Sequence, residues 1–147
     1  MTPVEEVHNS VLWAAALAIP GLAMLAFAVT HAIPALRVGL GFGGTVMLAA
    51  AAMAWTGFHY VFTPSGVEIR AFGHLLRNIP AAEIRDYHPD HWNVAGGYGI
   101  RGLGASRAYV WGNRGVRIKT SDGQVFLGCN DPQKLIRDLD QITNRNH

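Results

Sequence analysis

Val11–Val29 reads VLWAAALAIPGLAMLAFAV and holds no ionisable residue. At about 1.5 Å per helical residue it just covers a hydrocarbon core of about 30 Å. Val38–Phe58 is a second uncharged run of similar reach. Thr30–Arg37 between them is too short for anything but the bend of a helical hairpin. The spacing therefore predicts a transmembrane hairpin over 11–58, with a tail at 1–10 and a carried domain behind it.

The two runs differ in strength. The first offers Leu12, Leu17, Ile19, Leu22, Leu25 and Phe27 among its large apolar side chains, whereas the second is mostly Ala and Gly. The second helix therefore depends on packing. Gly39 and Gly43 form a small-xxx-small pair suited to close helix approach, within the hairpin or between chains. Pro20-Gly21 interrupts the first run and predicts a kink. Trp13, Trp55 and Tyr60 would share one membrane face, as an aromatic belt does. No Asp, Glu, Lys or Arg lies at membrane depth, which removes the usual mark of an ion path.

Ala26-Phe27-Ala28 could pass for a cleavage site, but Glu5 and Glu6 precede the run with no Lys or Arg, so a retained anchor is expected. Arg70, Arg77 and Arg85 follow the second run while the bend has only Arg37. The positive-inside rule then puts both termini in the cytoplasm. The abundance of Arg over Lys, with Ala and Gly, suggests a high-GC bacterial genome and hence an inner-membrane protein. The chain has 147 residues, a net charge of +2 and one cysteine, Cys129. That charge is too small to indicate nucleic acid, and one thiol makes no intrachain disulfide.

After Tyr60 the period becomes strand-like. Val67, Ile69 and Ala71 alternate with Glu68 and Arg70. Leu75–Ile79, Ala81–His88 and Arg107–Trp111 follow, with Asn93–Gly104 as a glycine-rich connection. Val116, Ile118 and Thr120 alternate with Arg117 and Lys119, and Asp122-Gly123 marks a hairpin. Asp131-Pro132 opens a helix with Leu135, Ile136, Leu139 and Ile142 on one face. The predicted class is a membrane α-helical hairpin plus an α+β domain. That domain, at 59–143, would be an antiparallel barrel or roll of about seven strands capped by the C-terminal helix, with a tail at 144–147.

Gly97-Tyr98-Gly99-Ile100-Arg101, Gly115-Val116-Arg117-Ile118, Asp122-Gly123, Gly128 and Pro132 with Leu135 resemble the small bacterial membrane proteins that carry a pleckstrin-homology-like (PH-like) domain. The resemblance implies a PH-like barrel and a non-enzymatic binding or scaffold role. Phosphoinositide-binding members of the wider group place Lys and Arg in the first hairpin loop. Here that loop, Thr63–Gly66, has none, which argues against inositol-lipid recognition by that route.

Three constellations could carry chemistry. Tyr98, Ile100, Arg101 and Leu103 in the glycine-rich stretch, with Arg107, Arg114, Arg117 and Lys119, could meet a protein partner or an anionic surface. The glycines make neither a P-loop nor a dinucleotide fingerprint, so no cofactor is expected. Asp86, His88, Asp90 and His91 are metal-type ligands, but Pro89 should interrupt their strand and a solvated edge is the favoured reading. Cys129 has no base beside it in sequence. The leading expectation is a membrane-bound module that contacts lipid and a protein partner or a second copy. Its rivals are an accessory subunit of a transporter or channel, and a metal-dependent hydrolase built on Asp86–His91.

Overall fold

The computed structural model describes residues 3–144, which fall into two compact units, Asn9–Thr56 and a second made of the preceding residues with Gly57 onward. Pro3 is the first described residue of the second unit.

The first unit is a helical pair, α1 (Val11–Thr30) and α2 (Pro34–Thr56). Both helices are long and apolar enough to cross a membrane. Ser10 caps α1, its Oγ accepting from Trp13 N at 3.3 Å, and the helix continues through Pro20. The start of α1 is tied to the end of α2, with Ser10 N donating to Ala54 O at 2.9 Å and Asn9 Nδ2 to Trp55 O at 3.0 Å. The bend is shorter than expected, because Pro34 begins α2 and draws Arg37 into it; proline suits a first helical turn, where no donor is needed.

The close approach of the two helices is made by Gly21 and Gly44. A Cβ on Gly44 would lie 2.8 Å from Gly21 O and 2.9 Å from Leu25 Cγ. Gly43 meets only the end of Met24, and Gly39 has nothing within 4 Å. The expected Gly39/Gly43 pair is thus not the seam of the hairpin; the seam runs one residue along, where two backbones meet. Thr45 and Thr56 return their hydroxyls to the carbonyls of Gly41 and Ala52, which satisfies them without water.

The second unit contains two sheets and a helix. β1 (Val4–His8), β2 (Phe58–Thr63), β3 (Gly66–Ala71) and β4 (His74–Pro80) form an antiparallel sheet in that order. β5 (Ile84–His91), β6 (Gly99–Leu103), β7 (Ser106–Val110), β8 (Arg114–Thr120) and β9 (Gln124–Gly128) form the second, ordered β5-β8-β9-β7-β6. Its pairs are antiparallel except β7–β9, which is parallel. The class is α+β, with nine strands among the described residues rather than about seven. The extra strands are β1, from the expected tail, and β6, from the expected glycine-rich connection. β5 continues through Pro89 as far as His91. It survives because it is an edge strand, where a missing N–H can face outward.

Phe58, Tyr60 and Phe62 of β2 are buried, as are Val67, Ile69 and Ala71 of β3, the alternation read from the sequence. They face β7 to β9. Tyr60 donates its hydroxyl within 2.9 Å of Gly128 O and 3.2 Å of Tyr109 O, and Phe58 packs edge-on to Tyr109 at 5.5 Å. Burial pushes the Tyr60 hydroxyl far up, so it stays a donor. α3 (Pro132–Thr143) covers this core with Leu135, Leu139 and Ile142. Asp131 Oδ1 caps it, accepting from Gln133 N and Lys134 N at 3.1 Å each.

β1 is held by more than its ladder. His8 is buried, and its Nε2 accepts from Trp111 N at 2.8 Å. That leaves Nδ1 with the proton and no partner among the described residues. Burial lowers the His8 pKa from 6.5 to about 4. Glu6 pairs with Lys134 of α3.

Candidate functional site

The outer face of the second sheet carries a small apolar patch of Ala108, Val110 and Phe126. The chain leaving β5 folds over it. Trp92 lies 5.3 Å from the Phe126 ring and donates Nε1 to Gly97 O at 2.6 Å. One 3₁₀ turn (Val94–Gly96) then brings the chain back to β6. At Gly97 φ is 73°, and a Cβ there would lie 2.9 Å from Arg101 Nη2. Glycine is required there by its backbone conformation, and the Arg101 guanidinium lies over the open space it leaves.

Arg101 and Arg117 share the face of Ala108 and Phe126, and with Trp92 and Arg107 of β7 they are among the residues lining a cavity of about 210 Å³. Arg101 is oriented by Nε donating to Tyr98 O at 2.8 Å. Arg117 lies over the Phe126 ring, 5.5 Å from its centroid, and its Nε reaches Asp90 Oδ2 at 2.5 Å. Hydrogen bonding from Arg117 holds the Asp90 carboxyl below its usual range. Two guanidiniums, of Arg101 and Arg117, against one carboxylate leave the pocket one positive charge in excess. Its volume lies below the roughly 300–1,000 Å³ of small-molecule sites; it suits one acidic side chain or a small anion. β6 is the last strand of its sheet, so its outer edge is unpaired among the described residues. Along it Ile100 is exposed and Leu103 is 90% exposed.

The predicted residues therefore divide. Arg101 and Arg117 come together and Arg107 lines the same cavity, with Tyr98, Ile100 and Leu103 close in sequence on or before β6. Arg114 lies elsewhere, in a second hollow with Asp90, His91 and Pro132. Lys119 faces Asp86 at 3.5 Å. Trp92 and Phe126, which floor the pocket, lie outside the expected set. An indole close before a glycine run was the available signal for Trp92; nothing in sequence marked Phe126.

Asp86, His88, Asp90 and His91 do not gather. Asp86 and Asp90 are each drawn to a basic side chain of β8, and His88 Nδ1 is 3.9 Å from Asp86. Among the described residues no three His, Cys, Asp or Glu side chains are placed to hold a metal. Cys129 is buried, and that burial, with Asp131 and Glu6 nearby, pushes its thiol up to about 12. Such a thiol is not a nucleophile at neutral pH. No protein-family model matches the chain, and no curated protein or solved structure matches it either.

Proposed function

We propose that this chain is a non-enzymatic binding module with a PH-like domain, anchored in a bacterial inner membrane by α1 and α2. Its domain works on the cytoplasmic side and docks an acidic segment of a protein partner. Support for the anchor lies in outward-facing Leu12, Ile19, Leu22, Phe27, Val38 and Phe42, where a helix in water would carry polar residues. Pairing of His8 with Phe58 supports a hairpin whose two ends lie on one side of the bilayer. Arg70, Arg77 and Arg85 support the cytoplasmic side.

The docking reading rests on the convergence of Arg101 and Arg117 beside the free edge of β6. A strand laid along that edge gains main-chain bonds, and an acidic side chain from it would meet the pocket. Arg101 is the residue to change, since it shares the face of Ala108 and Arg117 is already tied to Asp90. Anisotropy of a fluorescent peptide alternating Glu and Val, with the full chain in detergent, tests this. Arg101→Glu should weaken binding at least about tenfold, the size of one charge-assisted hydrogen bond. Equal affinity for both proteins, or for a Lys-for-Glu peptide, would reject the reading.

Self-association is the second reading, and open space at Gly39 and Gly41 favours it. A cysteine crosslinking scan across Gly39–Gly44 in membranes tests it. Dimer bands strongest at Gly39 are expected, and their absence throughout would reject it.

A further inference from the structure

The turn between β3 and β4 is made by Phe72 and Gly73 alone. Both have positive φ, 50° and 76°. The first position of such a turn belongs to Asn, Asp or Gly. Phenylalanine is there against its backbone preference, and it gains no burial in return, being 53% exposed. Leu75, just after the turn, is 56% exposed. Two large apolar side chains thus stand in the open at a hairpin tip, one of them strained.

Strand register places this tip. His59 faces Arg70 and His8 faces Phe58. The Phe72 turn is therefore at the end of the first sheet where the chain passes into its apolar segments. The links are short: Asn9-Ser10 on one side and Gly57 on the other. Neither can span more than about 10 Å. The opposite turn, Pro64-Ser65, is polar.

We propose that Phe72 and Leu75 dip into the lipid–water interface of the bilayer, as a third point of attachment beside the two helix ends. This rests on the membrane reading above. Phe and Leu side chains bury readily at the headgroup–acyl boundary, so the residue that strains the turn finds its burial in lipid. Three points fix a plane where two leave a hinge.

The full chain in lipid vesicles, spin-labelled at one cysteine per variant, gives the test. The variants are Phe72→Cys, Ser65→Cys and Leu22→Cys; native Cys129 is buried and is changed to Ala in all three. Accessibility to oxygen against a water-soluble nickel chelate reports depth. We expect the Phe72 label to match the Leu22 label in preferring oxygen, and the Ser65 label to prefer nickel. A Phe72 label as nickel-accessible as Ser65, with Leu22 still in lipid, overturns this inference alone. A Leu22 label open to nickel overturns the membrane reading itself. A second readout is Phe72→Asn, which relieves the turn. It should raise stability in detergent while making the Leu75→Cys label more nickel-accessible in vesicles; no change at Leu75 overturns the inference.

Discussion

Lowering the pH from 7 to 5 should cost the β domain about 2 kcal/mol through His8 alone. The ring is buried, accepts from Trp111 N and has its pKa lowered from 6.5 to about 4 by burial. A base whose folded pKa lies below its unfolded value is protonated first in the unfolded chain. Stability is then whole above pH 6.5 and falls as pH drops from there to 4. The lost free energy is RT ln[(1 + 10^(6.5−pH))/(1 + 10^(4−pH))], which rises from about 0.2 kcal/mol at pH 7 to about 2 at pH 5 and about 3 at pH 4. The partner variant is His8→Gln, whose amide oxygen can accept from Trp111 N and does not titrate. Thermal unfolding in mild detergent, followed by tryptophan fluorescence, compares the two between pH 7 and 5. The native chain should lose roughly 8–15 °C more than the variant, given about 4–8 °C per kcal/mol in a domain of this size. Equal slopes would refute the reasoning, because they would mean that His8 is solvated or unbonded in the folded chain.

The seam of the helical pair gives a second expectation. Gly44→Ala should loosen the pair by about 1–3 kcal/mol, since its Cβ must displace Gly21 O or Leu25. Gly39→Ala should leave it intact; limited proteolysis in detergent separates the two, and equal sensitivity would count against the seam. Asp138 gives a third. It is buried on α3, one carboxylate oxygen lacks a partner among the described residues, and burial, with Glu6 nearby, raises its pKa. An acid whose folded pKa is raised costs stability once it ionises. Asp138→Asn should therefore raise Tm at pH 7, with the gain shrinking as pH falls into the carboxylate range. A lower Tm at pH 7 would show that the charge is compensated after all.

Elements whose stability is local were legible in the sequence. The apolar runs needed only hydropathy, β3 only its alternation, and α3 only Asp131-Pro132 and its apolar face. Elements that exist through a distant partner were not. Val4–His8 has no strand pattern of its own, and it becomes β1 because β2 offers an edge and His8 finds Trp111 N. Pro89 reads as a breaker until β5 is known to lie at an edge, which is a property of the sheet. The parallel β7–β9 pair is likewise invisible, since Asp122-Gly123 announces only the neighbouring hairpin. The site divided in the same way: the guanidiniums were visible as a basic cluster, while the aromatic floor required the fold-over at Trp92. Sequence alone also kept Arg114 and Lys119 in the cluster, because it does not give the cross-strand neighbours that draw them away.

The pairing of β1 with β2 also sets an order of events at the ribosome. β1 emerges first, yet its partner begins 50 residues later, beyond both apolar helices. At about 5–20 residues per second that is a wait of roughly 3–10 s. Its ladder cannot close until both helices have been made and the chain has turned back. If the two helices cross a bilayer as proposed, a chain with only one of them across would keep these strands on opposite sides, with His8 unburied and the edge of β2 bare. On the proposed membrane reading, a closed β1–β2 ladder therefore reports that both helices have been threaded, and a bare β2 edge that they have not.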